Sequence, residues 1–352
     1  MNQTTRARQH YAADALTTWA ATTFHRCGVA DADARTAAAV LVRTNLRGID
    51  THGISRVPMY AEKVLTGEVN ASAQPASTQR DGVLYYDGDG GIGQAVATAA
   101  VATAISAAQE TAVLPCVITN SGHLAAIGMF ALAAAEAGMV AVFCQETPPL
   151  MALRGSPRPA IGNNPIAFAC PVGARAPLVF DMATSVVARG SVLDAAREGV
   201  AIPEGWAIGP DGAPTTDPAT ALKGSMLPIA GHKGIGLAMM VQVLAGSLSG
   251  SSAGESAAQY GAQSSAGNVS AFLLLVNPGR MLGRDRFDEH VHGWLDGYKN
   301  ASGKTALYPG ERAALCEEER TVSGIPLTEA GVEQLRKIGD KVDNPFDVNP
   351  LA

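Results

Sequence analysis

The sequence predicts an α/β protein, in the α+β sense, with helical ends and a strand-rich middle. Three observations support this. Segments 7–26, 31–46 and 56–65 place apolar residues at helical spacing, short β-type runs take over from residue 82, and helical periodicity returns near residue 285. With 352 residues and 47% hydrophobic content, the chain can bury two substantial cores.

The elements follow in order. The helix over 31–46 has Asp31 or Asp33 available as its cap. Strands are expected at VLYY (83–86), PCVIT (115–119), MVAVFC (139–144), PIAFACP (165–171) and PLVFDM (177–182). Alanine-rich helices should fill roughly 94–112 and 125–137. PEGWAIGPDGAPTTDP (203–218) is crowded with Pro, Gly and Asp and should form surface turns. IGLAMMVQVLAGSL (235–248) falls short of the roughly 20 residues a membrane-spanning helix needs and is expected to be a buried helix. GSSAGESAAQYGAQSSAG (250–267) lacks periodicity and should be a mobile loop. VSAFLLLVNP (269–278) is a last strand, before helices at about 285–298, 310–320 and 327–340, the last capped by Thr328.

Composition narrows the function. The net charge is −6 and no cluster of Lys or Arg could neutralise a row of phosphates, which argues against nucleic acid as a partner. Five scattered cysteines (Cys27, Cys116, Cys144, Cys170, Cys316) without C-x-x-C spacing suit reduced thiols rather than disulfides or a metal site. The first residues lack a continuous apolar run of the secretory kind, so a cytoplasmic protein without a membrane partner is expected.

YDGDGGIGQAV (86–96) holds Gly88, Gly90 and Gly93 in G-x-G-x-x-G spacing between a strand and a helix. A dinucleotide fingerprint also needs an acid at the end of the following strand, but PCVIT leads into Asn120. A tight turn with left-handed glycines is the better explanation of the spacing.

Four segments concentrate residues able to do chemistry. In RGIDTHGISRVPMY (47–60), a helical i, i+4 spacing would put His52 and Arg56 on one face, with guanidinium for a carboxylate and imidazole beside the adjacent carbon; an ordinary capped surface helix is the alternative. TNSGHLAAIG (119–128) places His123 in a polar turn after a strand, where ligands often bind. In 152–171 and 177–190, Asn163, Asn164 and Asp181 could fix turns, or Asp181 with the amides of Met182 and Ala183 could meet the hydroxyls of a nucleotide sugar. In IAGHKGIGLAMM (229–240), His232 and Lys233 stand at a helix N-terminus suited to phosphate, and a desolvated Lys233 could instead form a Schiff base. His290 and His292, two residues apart, read as surface positions.

Together RGIDTHGISRVPMY, SGHLAAIGMFALAAAEAGM, GNNPIAFACP, FDMATSVVARG, IPEGWAIGPDGAPTTDP, GHKGIGLAMM and YPGE, in that order over 47–311, resemble the signature of the malate/L-lactate dehydrogenase family that lacks a Rossmann fold. The resemblance implies NAD or NADP as cofactor, held by a largely antiparallel mixed sheet in residues 79–284. A helical domain built from 1–78 and 285–352 would serve substrate binding and dimerisation, and YDGDGGIGQ would be a turn rather than a fingerprint. It assigns His52 or His123 the proton transfer and Arg56 the substrate carboxylate. Asp181, Met182, Ala183, His232 and Lys233 match cofactor contacts, with Thr147, Gly310 and Glu311 as weaker matches. The family's S-N-H-F-G reads Ser121-Gly122-His123-Leu124-Ala125 here, and LRGSPR (153–158) adds Arg154 and Arg158, which would suit a second anionic group.

The implied reaction is hydride transfer between nicotinamide C4 and C2 of a small 2-hydroxy or 2-oxo acid, with a cyclic imino acid as the alternative substrate. The implied assembly is a homodimer. A lyase acting through Lys233 and an inactive nucleotide-binding homologue are the rival readings.

Overall fold

The computed structural model describes residues 8–351 apart from 157, 252–268 and 304. The loop expected at 250–267 lies outside the described residues except for Gly250 and Ser251. The helical ends and the strand-rich middle form as expected.

The chain runs β1 (Arg8–Tyr11), α1 (Ala13–Arg26), α2 (Asp31–Leu46), α3 (Val57–Leu65), β2 (Ala76–Arg80), β3 (Val83–Asp87), α4 (Gly93–Ala108), β4 (Val113–Ser121), α5 (Gly128–Glu136), β5 (Val140–Gln145), β6 (Ile166–Val172) and β7 (Arg175–Met182). It continues through α6 (Arg189–Glu198), β8 (Ala207–Ile208), β9 (Pro214–Thr215), α7 (Pro218–Lys223), β10 (Ser225–Met226), α8 (His232–Val241), β11 (Val269–Val276) and α9 (Pro278–Met281). It closes with α10 (Arg284–Ser302), α11 (Glu311–Ser323), β12 (Ile325–Thr328) and α12 (Glu329–Lys341).

Seven strands form one sheet in the order β2-β3-β4-β11-β5-β6-β7. Only β3 and β4 are parallel, so the sheet is mixed and largely antiparallel. In the central strand β11, Ala271, Leu273 and Leu275 pack with α4 and α5 on one face, while Phe272 and Leu274 pack with Val241 and Ala245 on the other. The period of two sorts one apolar run onto two buried faces. Each large side chain removed from water there contributes about 2 kcal/mol. A separate core joins the chain ends: Leu16, Trp19, Phe24, Leu41, Tyr60, Leu335 and Ile338 cluster between α1, α2, α3 and α12.

The glycine motif sits in the parallel β3-α4-β4 unit yet serves packing. A Cβ on Gly93 would stand 2.5 Å from the His123 carbonyl oxygen and 2.7 Å from that of Gly122. A Cβ on Gly88 would meet the Asn120 carbonyl at 2.7 Å. The glycines let α4 press against the turn that carries His123.

Several expectations need correction. Residues 8–11 are a strand paired with β12, because tertiary pairing outweighs helical periodicity at the chain end. The residue capping α2 is Ala30; Asp31 lies inside the first turn, where its charge favours the helix dipole and pairs with Arg35. Residues 203–218 include β8 and β9, with Ala207 and Ile208 fully buried. The apolar helix at 235–248 is α8 followed by a π turn and a 3₁₀ turn, and only one stripe faces the sheet. Met239, Val243 and Leu248 are 57%, 54% and 59% exposed. His292 is half-buried, its Nε2 3.1 Å from the Val172 carbonyl oxygen, whereas His290 is exposed. Thr328 caps α12 as expected, accepting from Gly331 N–H at 3.2 Å. Among the described residues no helix is long and apolar enough to cross a membrane.

Candidate active site

A cavity of about 960 Å³ opens where the turn after β4, the segment after β5, the end of β7 and residues 47–59 converge. Its wall includes His52, Arg56, His123, Thr147, Asp181, Met182, Ala183 and Gly310. His232, Lys233, Glu311, Arg154 and Arg158 lie outside that wall.

His52 and Arg56 arrive by a different route from the expected helical turn. Asp50–His52 and Ile54–Arg56 are separate 3₁₀ turns broken at Gly53, where a side chain would strike Asn45. Asn45 ties both turns, accepting from Ile54 N–H at 2.6 Å and donating to Asp50 at 2.8 Å. Arg320 then grips the Asp50 carboxylate with two nitrogens at 2.7 and 3.2 Å. Asp50 is therefore a structural anchor. Arg56 Nε donates to the Thr51 carbonyl at 2.6 Å, and Arg56 makes no ion pair among the described residues. Its remaining guanidinium donors are available to an anion.

The two histidines meet in the cavity, ring centroids 6.3 Å apart and planes 25° from parallel. His123 Nδ1 lies 2.7 Å from the Tyr60 hydroxyl and 3.3 Å from Ala125 N, while Gln94 donates to the His123 carbonyl at 3.2 Å. Burial, His52 and Arg56 pull the pKa of His123 down to about 3. Burial and Arg56 pull that of His52 down to about 4. Both rings are neutral at neutral pH.

Across the cavity, Asp181 accepts from Gly128 N–H at the start of α5 at 2.8 Å. Burial pushes its pKa up to about 6, although its side chain is open to the cavity and water there moderates the shift. Thr147 is held by Asn163 and Asn164, which take the turn-fixing role foreseen for them; fully buried Asn164 also donates to the Ala238 carbonyl at 2.9 Å. Gly310 follows Pro309, whose carbonyl accepts from Val179 N–H of β7 at 2.9 Å. The Glu311 carboxylate is engaged by Lys299 and by Tyr308 N–H.

His232 and Lys233 are exposed at the start of α8, joined to the 181–184 segment through Ile229 N–H and the Thr184 carbonyl, 2.9 Å apart. An exposed lysine lacks the desolvation that would make it a Schiff-base nucleophile. Arg154 and Arg158 are likewise exposed, so they supply no second anion site in the cavity. Tyr60, Gln94, Arg189 and Arg312 were not foreseen. The last two line the cavity, and Tyr60 carried one signal, its place four residues after Arg56.

Comparison with known proteins identifies the family and the fold. Residues 11–336 match the malate/L-lactate dehydrogenase family model. The chain is 34% identical over 317 residues to the malate/(S)-sulfolactate dehydrogenase of Methanothermus fervidus, covering 90% of this chain and 93% of that one. It is 34% identical over 318 residues to the Δ1-pyrroline-2-carboxylate/Δ1-piperideine-2-carboxylate reductase of Pseudomonas putida, covering 90% and 92%. The malate dehydrogenase structure from Pyrococcus horikoshii superposes with a TM-score of 0.84 at 28% identity, covering 98% and 97% of the two chains. With its largely antiparallel sheet and a family match over nearly its whole length, the chain belongs to the malate/L-lactate dehydrogenase family of oxidoreductases.

Proposed function

We propose that this protein transfers a hydride between the nicotinamide of NAD or NADP and C2 of a small 2-hydroxy or 2-oxo acid. The observation that carries the reading is the convergence of an unpaired guanidinium, Arg56, with two neutral imidazoles, His52 and His123, in one cavity. Arg56 fixes the substrate carboxylate through charge-assisted hydrogen bonds. His123 or His52 exchanges a proton with the C2 oxygen. The bound nicotinamide supplies the hydride chemistry.

The cavity suits a dinucleotide in size and donor set. Asp181 offers an acceptor for ribose hydroxyls, the amides of Met182 and Ala183 follow it, and Arg189 and Arg312 are cationic groups on the wall. In this reading His232 and Lys233, beside Thr184, reach the cofactor phosphates from the rim, and Thr147, Gly310 and Glu311 shape its bed. A cyclic imino acid is the second substrate reading, favoured by the similarity to the Pseudomonas putida reductase. We also read residues 1–78 with 285–352 as one domain, 79–284 as the other, and the protein as a cytoplasmic homodimer, testable by light scattering.

The deciding assay follows loss of reduced-nicotinamide absorbance with NADH or NADPH against a panel of 2-oxo acids and cyclic imines. Turnover identifies substrate and cofactor together. Arg56→Ala should then raise KM and lower kcat, with kcat/KM down roughly 100-fold for a lost charged hydrogen bond of about 3 kcal/mol. Absence of both turnover and NAD(P)H binding would overturn the reading.

A further inference from the structure

We infer that Tyr60 is a positioning residue for His123: by donating its hydroxyl proton to Nδ1 it holds the imidazole as the Nε2–H tautomer, which delivers its proton to substrate from a neutral ring. The inference rests on the reaction proposed above, but its geometric basis is independent of substrate.

Two groups converge on Nδ1. Ala125 N, at 3.3 Å, is a backbone amide and can only donate. A ring nitrogen accepting from an amide carries no proton, so the imidazole proton sits on Nε2. The Tyr60 hydroxyl, 2.7 Å from the same Nδ1, must then donate as well. Tyr60 is only 2% exposed, and burial raises its pKa, so the hydroxyl keeps its proton for that bond.

The backbone is shaped for this contact. Ala125 adopts φ +67°, a left-handed conformation uncommon for a residue with a side chain, and its N–H points back to the ring two residues earlier. Gln94 holds the His123 carbonyl from α4. The ionisable groups acting on the ring are His52 and Arg56 from the 50–56 turns and Lys63 from α3, with Tyr60 against Nδ1. None is a carboxylate. An imidazolium here would lack a counter-ion, would lose the bond from Ala125 N–H at Nδ1, and would have to reverse the bond with Tyr60.

In the reducing direction, C2 gains the hydride while its oxygen, or an imine nitrogen, gains the Nε2 proton. The C2 double bond becomes single, and the ring's negative charge is borne by the Tyr60 and Ala125 donors at Nδ1 and by nearby Arg56. Water restores the Nε2 proton after product leaves. The role resembles that of a neutral imidazole electrophile rather than an imidazolium acid.

The test is ¹⁵N-histidine NMR of the full chain, with His123→Asn to assign the signals, alongside kinetics of Tyr60→Phe. In wild-type protein the His123 signals should show unprotonated Nδ1 and protonated Nε2 throughout pH 5–8. Tyr60→Phe removes the short 2.7 Å contact and leaves only the longer 3.3 Å contact from Ala125 N to bias Nδ1, so it should move them toward a tautomer mixture and lower kcat roughly tenfold to a hundredfold, with KM within about twofold. An Nδ1–H or imidazolium signature in wild-type protein would overturn the inference, and that spectrum needs no variant. A Tyr60→Phe protein that loses kcat but keeps the wild-type tautomer would also overturn it, reducing Tyr60 to packing. If no substrate turns over, the reaction class fails, while the spectrum still decides the tautomer.

Discussion

Acid should destabilise this protein through the two site histidines, by an amount the structure fixes. The unfolded rings titrate near 6.5, whereas the fold holds His52 near 4 and His123 near 3. Folded pKa values below the unfolded ones mean that the unfolded chain binds the extra protons. Stability is complete above about pH 6.5 and is lost as pH falls toward the folded values. At pH 5 an unfolded imidazole is protonated about 30 to 1 and a folded one scarcely at all. Each ring therefore removes about 2 kcal/mol between pH 7.5 and 5, and the pair about 4 kcal/mol. The figure depends little on how far below 5 the folded values lie, so cavity water changes it only slightly. Asp181 acts in the opposite sense, because its raised pKa means a penalty at neutral pH that is relieved on acidification. Comparison with His52→Gln, His123→Gln and the double variant cancels Asp181 and the surface groups. Urea unfolding at the two pH values should show the wild type losing about 2 kcal/mol more than either single variant and about 4 more than the double. Equal losses in all four proteins would refute the burial of neutral rings.

Three further outcomes follow from particular contacts. Gly93→Ala forces a methyl onto the His123 and Gly122 carbonyls and should cost about 1–3 kcal/mol in urea unfolding while lowering kcat; unchanged stability would show that the turn can move. Asp181→Asn keeps an acceptor for Gly128 N–H but loses the charge, so NADH binding by fluorescence titration should weaken roughly tenfold, and an unchanged Kd would remove Asp181 from the cofactor site. Thr328→Ala deletes the cap on α12 and should cost about 1 kcal/mol, measured by the shift in denaturation midpoint, with turnover unaffected.

Much of the site was legible as segments. His52, Arg56, His123 and Asp181 stood out because they fall in segments that concentrate chemically capable residues between apolar runs and match family motifs, and the structure brings all four to one cavity. How His52 and Arg56 arrive there was not legible. The broken turn at Gly53 depends on Asn45 and on Arg320, whose partnership with Asp50 joins residues remote in sequence. The exposed placement of Lys233 was equally hidden, since helical periodicity does not say which end of a helix meets a ligand.

Local chemistry alone determined where most of the long helices and strands lie, that Thr328 caps the last helix, and which motifs mark the family, because these depend on residues within one turn or one pleat. Tertiary structure alone decided the rest. Val269–Val276 enters the sheet between Val113–Ser121 and Val140–Gln145, and Arg8–Tyr11 pairs with Ile325–Thr328. Strand partners are chosen by burial over the whole chain, not by local period. The same holds for the proton on His123, placed on Nε2 by Tyr60 from one segment and Ala125 from another. Residue type makes a histidine able to carry a proton; only the donors that surround it determine which nitrogen does.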